Sequence, residues 1–202
     1  MQPTDRNAVF AIAEAIAPLE RVAFEPVMAS LRCTTHEAGE LIIAVGEHDP
    51  REYFVLDGVA KTCVGDAHGR EATLAFHVGP GVVTPSIARV ADNRSRVNCV
   101  AMTRCRVASF PAGVLVACMV NSPSVQRWGD TVLRSELVRR ADREWGLAAL
   151  SAADRLLQFR RDHPGLEERI AHHHIASYLG VTPVTLSRLR AQLRRSSALN
   201  TA

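Results

Sequence analysis

A chain of 202 residues, 47% hydrophobic and 22% charged, has the composition of a soluble globular protein with one large core or two small ones, not of a disordered chain. No run approaches the roughly eighteen consecutive apolar residues of a membrane-spanning helix. The net charge is +3, and its location tells more than its size. Residues 147–202 hold eight arginines against four acids, whereas residues 1–146 balance sixteen basic against seventeen acidic residues. Lys61 is the only lysine, so part of the arginine bias is compositional. A basic end still favours a polyanionic partner, because each neutralised phosphate releases counterions.

The chain opens with MQPTDRNAVFAIAEAIAPLE, which carries acids inside its apolar part and lacks a basic start and a small-residue cleavage site. It reads as an amphipathic helix and not as a signal peptide. The five cysteines, Cys33, Cys63, Cys99, Cys105 and Cys118, are odd in number and form no Cys-x-x-Cys pair. Free buried thiols in a reducing cytoplasm are the expectation, with redox sensing through Cys99 or Cys105 as the alternative.

From about residue 31 to 110 short alternating runs are separated by turn residues. ELIIAV is followed by GEHDPRE, YFVLDGVAKTCV contains the Asp57-Gly58 turn, GDAHGRE at 65–71 resembles a hairpin tip, and RVNCVAMTRCRVASF alternates up to Pro111. Many short strands at this spacing predict an antiparallel jelly-roll barrel. After Pro111 the texture becomes helical. NSPSVQRWGDTVLRSELVRRADREW places apolar residues at Val125, Trp128 and Val132, then at Leu133, Leu137, Ala141 and Trp145. That is a helix over 122–145, with Gly129 costing it about 1 kcal/mol relative to Ala. Its drifting stripe suits a subunit interface, so a homodimer is expected. Further on, Ser151 caps a helix through Arg161, His163-Pro164-Gly165 breaks it, and a short helix begins near residue 171.

The last helix starts at Thr182-Pro183, a good N-cap followed by a good first helical residue. Leu186, Leu189 and Leu193 fall on one side, which reads as wholly apolar. Val184, Ser187, Arg188, Ala191 and Arg195 fall opposite, flanked by Thr185, Gln192 and Arg194, and no acid follows Glu168. Such a small, basic face approaches a duplex closely, with Arg for base edges or phosphates and hydroxyls for phosphates. Just before it, Ala176, Gly180, Leu186 and Leu189 stand where a helix-turn-helix needs a small residue, a positive-φ turn and two apolar contacts.

Residues 151–193, and IASYLG-x-TP-x-TLSR above all, resemble the C-terminal domain of the Crp/Fnr superfamily of bacterial transcription regulators. HEAGELIIAVGEHDPREYFVLDGVAKTCVGDAHGREATLAF is similar to the first strands of a cyclic-nucleotide-binding-type jelly roll. The resemblance implies an α+β fold in three parts: a sensor-like jelly roll over 1–120, a dimerisation helix over 121–146, and a helix-turn-helix domain over 147–202. It implies a palindromic double-stranded DNA operator, with RNA polymerase as a further partner if the protein activates. By position it implies DNA contacts at Thr182, Thr185, Ser187 and Arg188, the last matching the arginine that reads guanine; Arg195, on the same basic face of the helix, reads as a phosphate contact. Three departures accompany it. Val184 stands where many relatives carry Glu, the sequence after Arg195 leaves little or nothing of a β-hairpin wing, and the phosphate cassette is broken. GPGVVTPSIARV at 79–90 offers no Glu for a ribose hydroxyl, and only Arg94-Ser95 matches the second part of the cassette. The effector is therefore expected to be a small molecule other than a cyclic nucleotide, bound near Arg94 and Ser95 if it exists.

Three consecutive histidines, 172–174, point about 100° apart on a helix and do not converge on one ion. With His36, His48, His68 and His77 scattered through the barrel, the rival reading is a cupin-like metal-dependent barrel enzyme with a helical appendage. Haem held by a barrel histidine, or a retained cyclic nucleotide, are further alternatives. The cofactor is left open, neither a catalytic nor a metal residue is assigned, and the location expected is the cytoplasm.

Overall fold

The computed structural model describes residues 3–65, 71–83 and 94–199. The chain divides into two compact units, one of residues Met1–Val64 and Leu74–Val138, the other of residues Gly65–Thr73 and Arg139–Ala202.

The first unit begins with two helices, α1 (Pro3–Ile16) and α2 (Arg21–Ser30). Eight strands follow: β1 (Arg32–His36), β2 (Leu41–Ile43), β3 (Arg51–Asp57), β4 (Val59–Gly65), β5 (Glu71–Val78), β6 (Gly81–Val83), β7 (Asn98–Ala101) and β8 (Cys105–Pro111). They form two four-stranded sheets, ordered β1-β8-β3-β6 and β2-β7-β4-β5, the strand order of a jelly roll. Arg32 to His36 pair antiparallel with Ser109 to Cys105, and Tyr53 to Val55 with Val83 to Gly81. Gly58, at φ +96°, does not close a hairpin. It carries the chain from β3 in one sheet to β4 in the other, against the Arg104 carbonyl and the Cys105 side chain, where a Cβ has no room.

The period of two explains how one strand serves two cores. Tyr53 and Val55 enter the barrel interior with Ile43, Ala60, Val83, Cys99, Ala101, Cys105 and Val107. Phe54, between them, turns to the opposite face with Ala108 and Phe110, onto the helices. That second core joins Val9, Phe10 and Ala13 of α1 and Phe24, Val27 and Met28 of α2 to Trp128. Trp128 meets Phe24 edge-on at 5.4 Å between ring centroids, and its indole N–H donates to the Ala13 carbonyl at 2.9 Å.

Two helices escaped the pattern reading. α2 contains Pro26, a usual breaker, and is held by burial of Phe24, Val27 and Met28. α3 (Ala112–Asn121) is apolar nearly all round, so it has no period to detect. The long helix α4 runs Pro123–Ala149, four residues past its expected end, because Gly146 is buried and its carbonyl accepts from Leu150 at 3.0 Å. Gly129 has a reason: a Cβ there would meet the Met119 side chain at 2.7 Å, so glycine lets α3 and α4 pack closely. Along α4, Leu133, Leu137, Val138, Trp145 and Leu147 are exposed.

The second unit adds α5 (Ala152–Asp162), a 3₁₀ turn (Leu166–Glu168), α6 (His172–Leu179) and α7 (Pro183–Leu199). Ser151 caps α5 as expected, its hydroxyl accepting from the Asp154 N–H at 3.2 Å, and Gly165 at φ +72° follows the Pro164 breaker. The unit's core is Leu156, Phe159, Leu166, Ile170, Ile175, Ala176, Leu179 and Leu186. Arg155 ties helix ends together, donating to the Leu150 carbonyl at 2.7 Å and the Leu179 carbonyl at 2.9 Å. The Ser177 hydroxyl accepts from the Thr73 N–H at 2.9 Å and donates to the Glu71 carbonyl at 3.0 Å. No helix among the described residues is long and apolar enough to cross a membrane.

A candidate nucleic-acid interface

The bend between α6 and α7 forms for local reasons. Gly180 takes φ +67°, ψ +35°, and its N–H reaches the carbonyls of Ala176 and Ser177. The Val181 N–H also bonds Ala176, at 3.0 Å, closing the end of α6. Thr182 then starts α7, its hydroxyl accepting from the Thr185 N–H at 3.1 Å while its carbonyl accepts from Leu186 at 3.0 Å. Ile175, Ala176, Leu179 and Leu186 fill the angle between the helices and are buried. Ala176 is fully buried in that angle, and Leu147 Cδ2 lies 3.1 Å from where a Gly180 Cβ would stand.

This packing decides which face of α7 meets solvent. Val184 is 61% exposed, and Ser187, Arg188, Gln192, Arg194 and Arg195 are exposed. Thr185 is half-buried, and its hydroxyl lies 2.9 Å from that of Thr182. Among the described residues Arg188 has no ion pair, so its guanidinium is available to a ligand. Five expected contact residues, Thr182, Thr185, Ser187, Arg188 and Arg195, thus lie on the first four turns of α7 or at its cap, and Thr182 and Thr185 also serve the cap itself.

The inward side of α7 is not wholly apolar, as the sequence reading had it. Leu186 is buried and Leu189 and Leu193 are half-buried, but Arg190 lies about 40° from Leu186 around the helix axis. Its Nε is 3.3 Å from Glu167 Oε1, and its Nη1 is 2.6 Å from His172 Nε2. Glu167 also holds Arg160 Nε at 2.5 Å. Sequence reasoning missed this cluster because its members lie on four elements; an acid directly after an apolar 3₁₀ residue gives no periodic signal.

In the barrel, Arg94 and Ser95 have opposite fates although adjacent. Arg94 is exposed and donates to the Gly46 carbonyl at 2.8 Å, beside a bridge to His48. Ser95 is buried and donates to the Val97 carbonyl at 2.7 Å. Most of the run GPGVVTPSIARV, residues 84–90, lies outside the described residues, as do the tip of the 65–71 hairpin and His68. His77 Nε2 pairs with the Thr62 hydroxyl at 2.7 Å, and His36 Nε2 with that of Thr34 at 3.0 Å. His172 and His173 are exposed and His174 is half-buried. Among the described residues no three His, Cys, Asp or Glu side chains converge as metal ligands.

The five cysteines are free thiols, four of them buried. Burial pushes Cys99 up to about 12, with Cys105 and Cys63 nearby adding to it, and burial also raises Cys105.

The comparisons with known proteins agree with this fold of a jelly roll, a long helix and two helices joined at a tight bend. Residues 34–122 match the family model described as Cyclic nucleotide-binding domain. No curated protein sequence matches the chain. Among solved structures, FixK2 from Bradyrhizobium japonicum is similar at 21% identity and a TM-score of 0.71, over 83% of this chain and 86% of that one. CLP from Xanthomonas campestris, a c-di-GMP-responsive global regulator, is similar at 16% identity and a TM-score of 0.69, over 88% and 93%. A putative transcriptional regulator of the Crp/Fnr family from Eubacterium rectale is similar at 18% identity and a TM-score of 0.68, over 91% and 89%. The chain shares the fold of these solved structures, and its residues 34–122 match a cyclic nucleotide-binding domain.

Proposed function

We propose that the protein is a sequence-specific, DNA-binding transcription regulator of the Crp/Fnr type, acting as a homodimer on a palindromic operator. The observation that carries this is the solvent face of α7, small, basic and free of acids, presented by an α6–α7 bend whose caps and core are complete. Arg188 is the base-reading residue, Ser187, Thr182 and Thr185 stand near the backbone, and Arg195 neutralises phosphate. Val184 leaves an apolar spot for a thymine methyl where a carboxylate would favour cytosine.

The exposed apolar residues of α4, Leu133, Leu137 and Trp145, favour pairing with a second copy. Two recognition helices then enter successive major grooves about 34 Å apart. A ligand in the barrel acts by shifting the paired α4 helices and so that separation. The ligand is read as a small molecule other than a cyclic nucleotide: Gly79–Val83 has no carboxylate, and the Ser95 hydroxyl is already engaged by Val97. RNA polymerase joins the partners if the protein activates, and the free thiols suit the cytoplasm. We read it as a regulator rather than an enzyme.

A gel-shift with the duplex upstream of its own reading frame tests the proposal. Retardation that weakens steeply as salt rises is expected. Absence of any shift at low salt overturns it.

A further inference from the structure

Four arginines lie on α7 between residues 188 and 195, yet one of them is engaged within the unit and not offered to DNA. Arg190 lies on the packed side of the helix, its side chain 22% exposed, against a Glu167 side chain 10% exposed. Glu167 receives Arg160 from α5 and Arg190 from α7, while Arg190 reaches on to His172 at the start of α6. A single carboxylate from the 3₁₀ turn thus joins α5 to α7, and Arg190 extends the cluster to α6. Arg160 grips the buried carboxylate through both Nε and Nη2, while Arg190 meets it through Nε alone, so the carboxylate fixes where the Arg190 head group lies.

We propose that Glu167 is a positioning residue for sequence reading: it clamps Arg190, fixing the rotation of α7 about its axis, and withholds Arg160 and Arg190 from phosphate. The proposal rests on the DNA-binding reading and adds to it the group that sets the aim of Arg188. Two consequences separate this role from plain structural support. Loss of the carboxylate lets α7 rotate, which blurs base recognition. It also frees two guanidinium groups beside a polyanion, which strengthens binding to any sequence. A residue that only stabilises the fold weakens both kinds of binding together when removed.

Glu167→Gln keeps the volume and removes the charge. The ratio of operator to random-duplex affinity is expected to fall about tenfold, as for loss of one well-placed base contact. Random-duplex affinity rises, and the slope of log affinity against log salt steepens by about one phosphate contact. Arg190→Lys retains the charge but not the planar guanidinium that reaches both Glu167 and His172, so it lowers the ratio and leaves the slope unchanged. Hydrogen exchange of the DNA-free protein reads the clamp independently of DNA: amides of α7 in Glu167→Gln exchange faster, those of the barrel strands at the wild-type rate. An unchanged ratio with both variants folded, or unchanged α7 exchange, overturns the clamp. A wild type that binds no DNA overturns the functional reading instead, and the exchange experiment still decides the clamp.

Discussion

Burial shifts the titration of one group in each unit, His163 downward and Cys99 upward. His163 sits half-buried against Phe159 and Tyr178, with ring centroids 5.2 and 6.1 Å away. Burial holds its pKa below the usual histidine range, outweighing the pull of Asp162. The folded state therefore prefers the neutral ring, while the unfolded chain takes up a proton near pH 6.5. Stability of the second unit is complete above that pH and declines as pH falls toward the lowered value. Thermal melts between pH 7 and 5 are expected to show this decline, with a shallower slope in His163→Phe, which keeps the ring and loses the proton site. Equal slopes would remove His163 from the account. Cys99 behaves in the opposite sense: with its thiol held near 12 it carries almost no thiolate at pH 8. Iodoacetamide at that pH should leave Cys99 unlabelled in the native protein and label it after denaturation, as read by mass spectrometry. Rapid native labelling would favour the redox alternative for Cys99.

At the scale of elements, the α6–α7 bend is where local chemistry is least negotiable. Gly180 combines a positive φ with a neighbour at 3.1 Å, so Gly180→Ala is expected to destabilise the second unit by about 1–3 kcal/mol, measured by urea unfolding. A loss below about 0.5 kcal/mol would show that the turn relaxes freely. This bend was legible in the sequence because each requirement is local: Thr182, Pro183, Gly180 and the leucine spacing all act within one turn of their own position. The barrel was legible as a class, since alternation and glycine punctuation reveal strands. Which strands share a sheet was not, because Gly58 looks like a hairpin turn yet crosses between sheets. α2 and α3 stayed hidden because long-range packing overrides Pro26 in one and a uniformly apolar surface erases the period in the other. Glu167 was hidden for the same reason, its partners being distant in sequence.

At the scale of the whole molecule, the proposed function requires two copies, because one α7 would cover only half of a palindrome. Leu137, 68% exposed on α4, is the residue to charge. Leu137→Glu is expected to give a monomer by light scattering at micromolar protein and to lower operator affinity at least a hundredfold, since the second half-site no longer binds at high effective concentration. A dimer that persists would move the interface off α4. The central claim, that the solvent face of α7 reads sequence, is tested most directly by titrating the wild type, Arg188→Ala and Arg195→Ala against the operator duplex and a random duplex of equal length. Arg188→Ala should lose about 1–3 kcal/mol on the operator and little on the random duplex, whereas Arg195→Ala should weaken both alike. Identical behaviour of the two variants on both duplexes would contradict it.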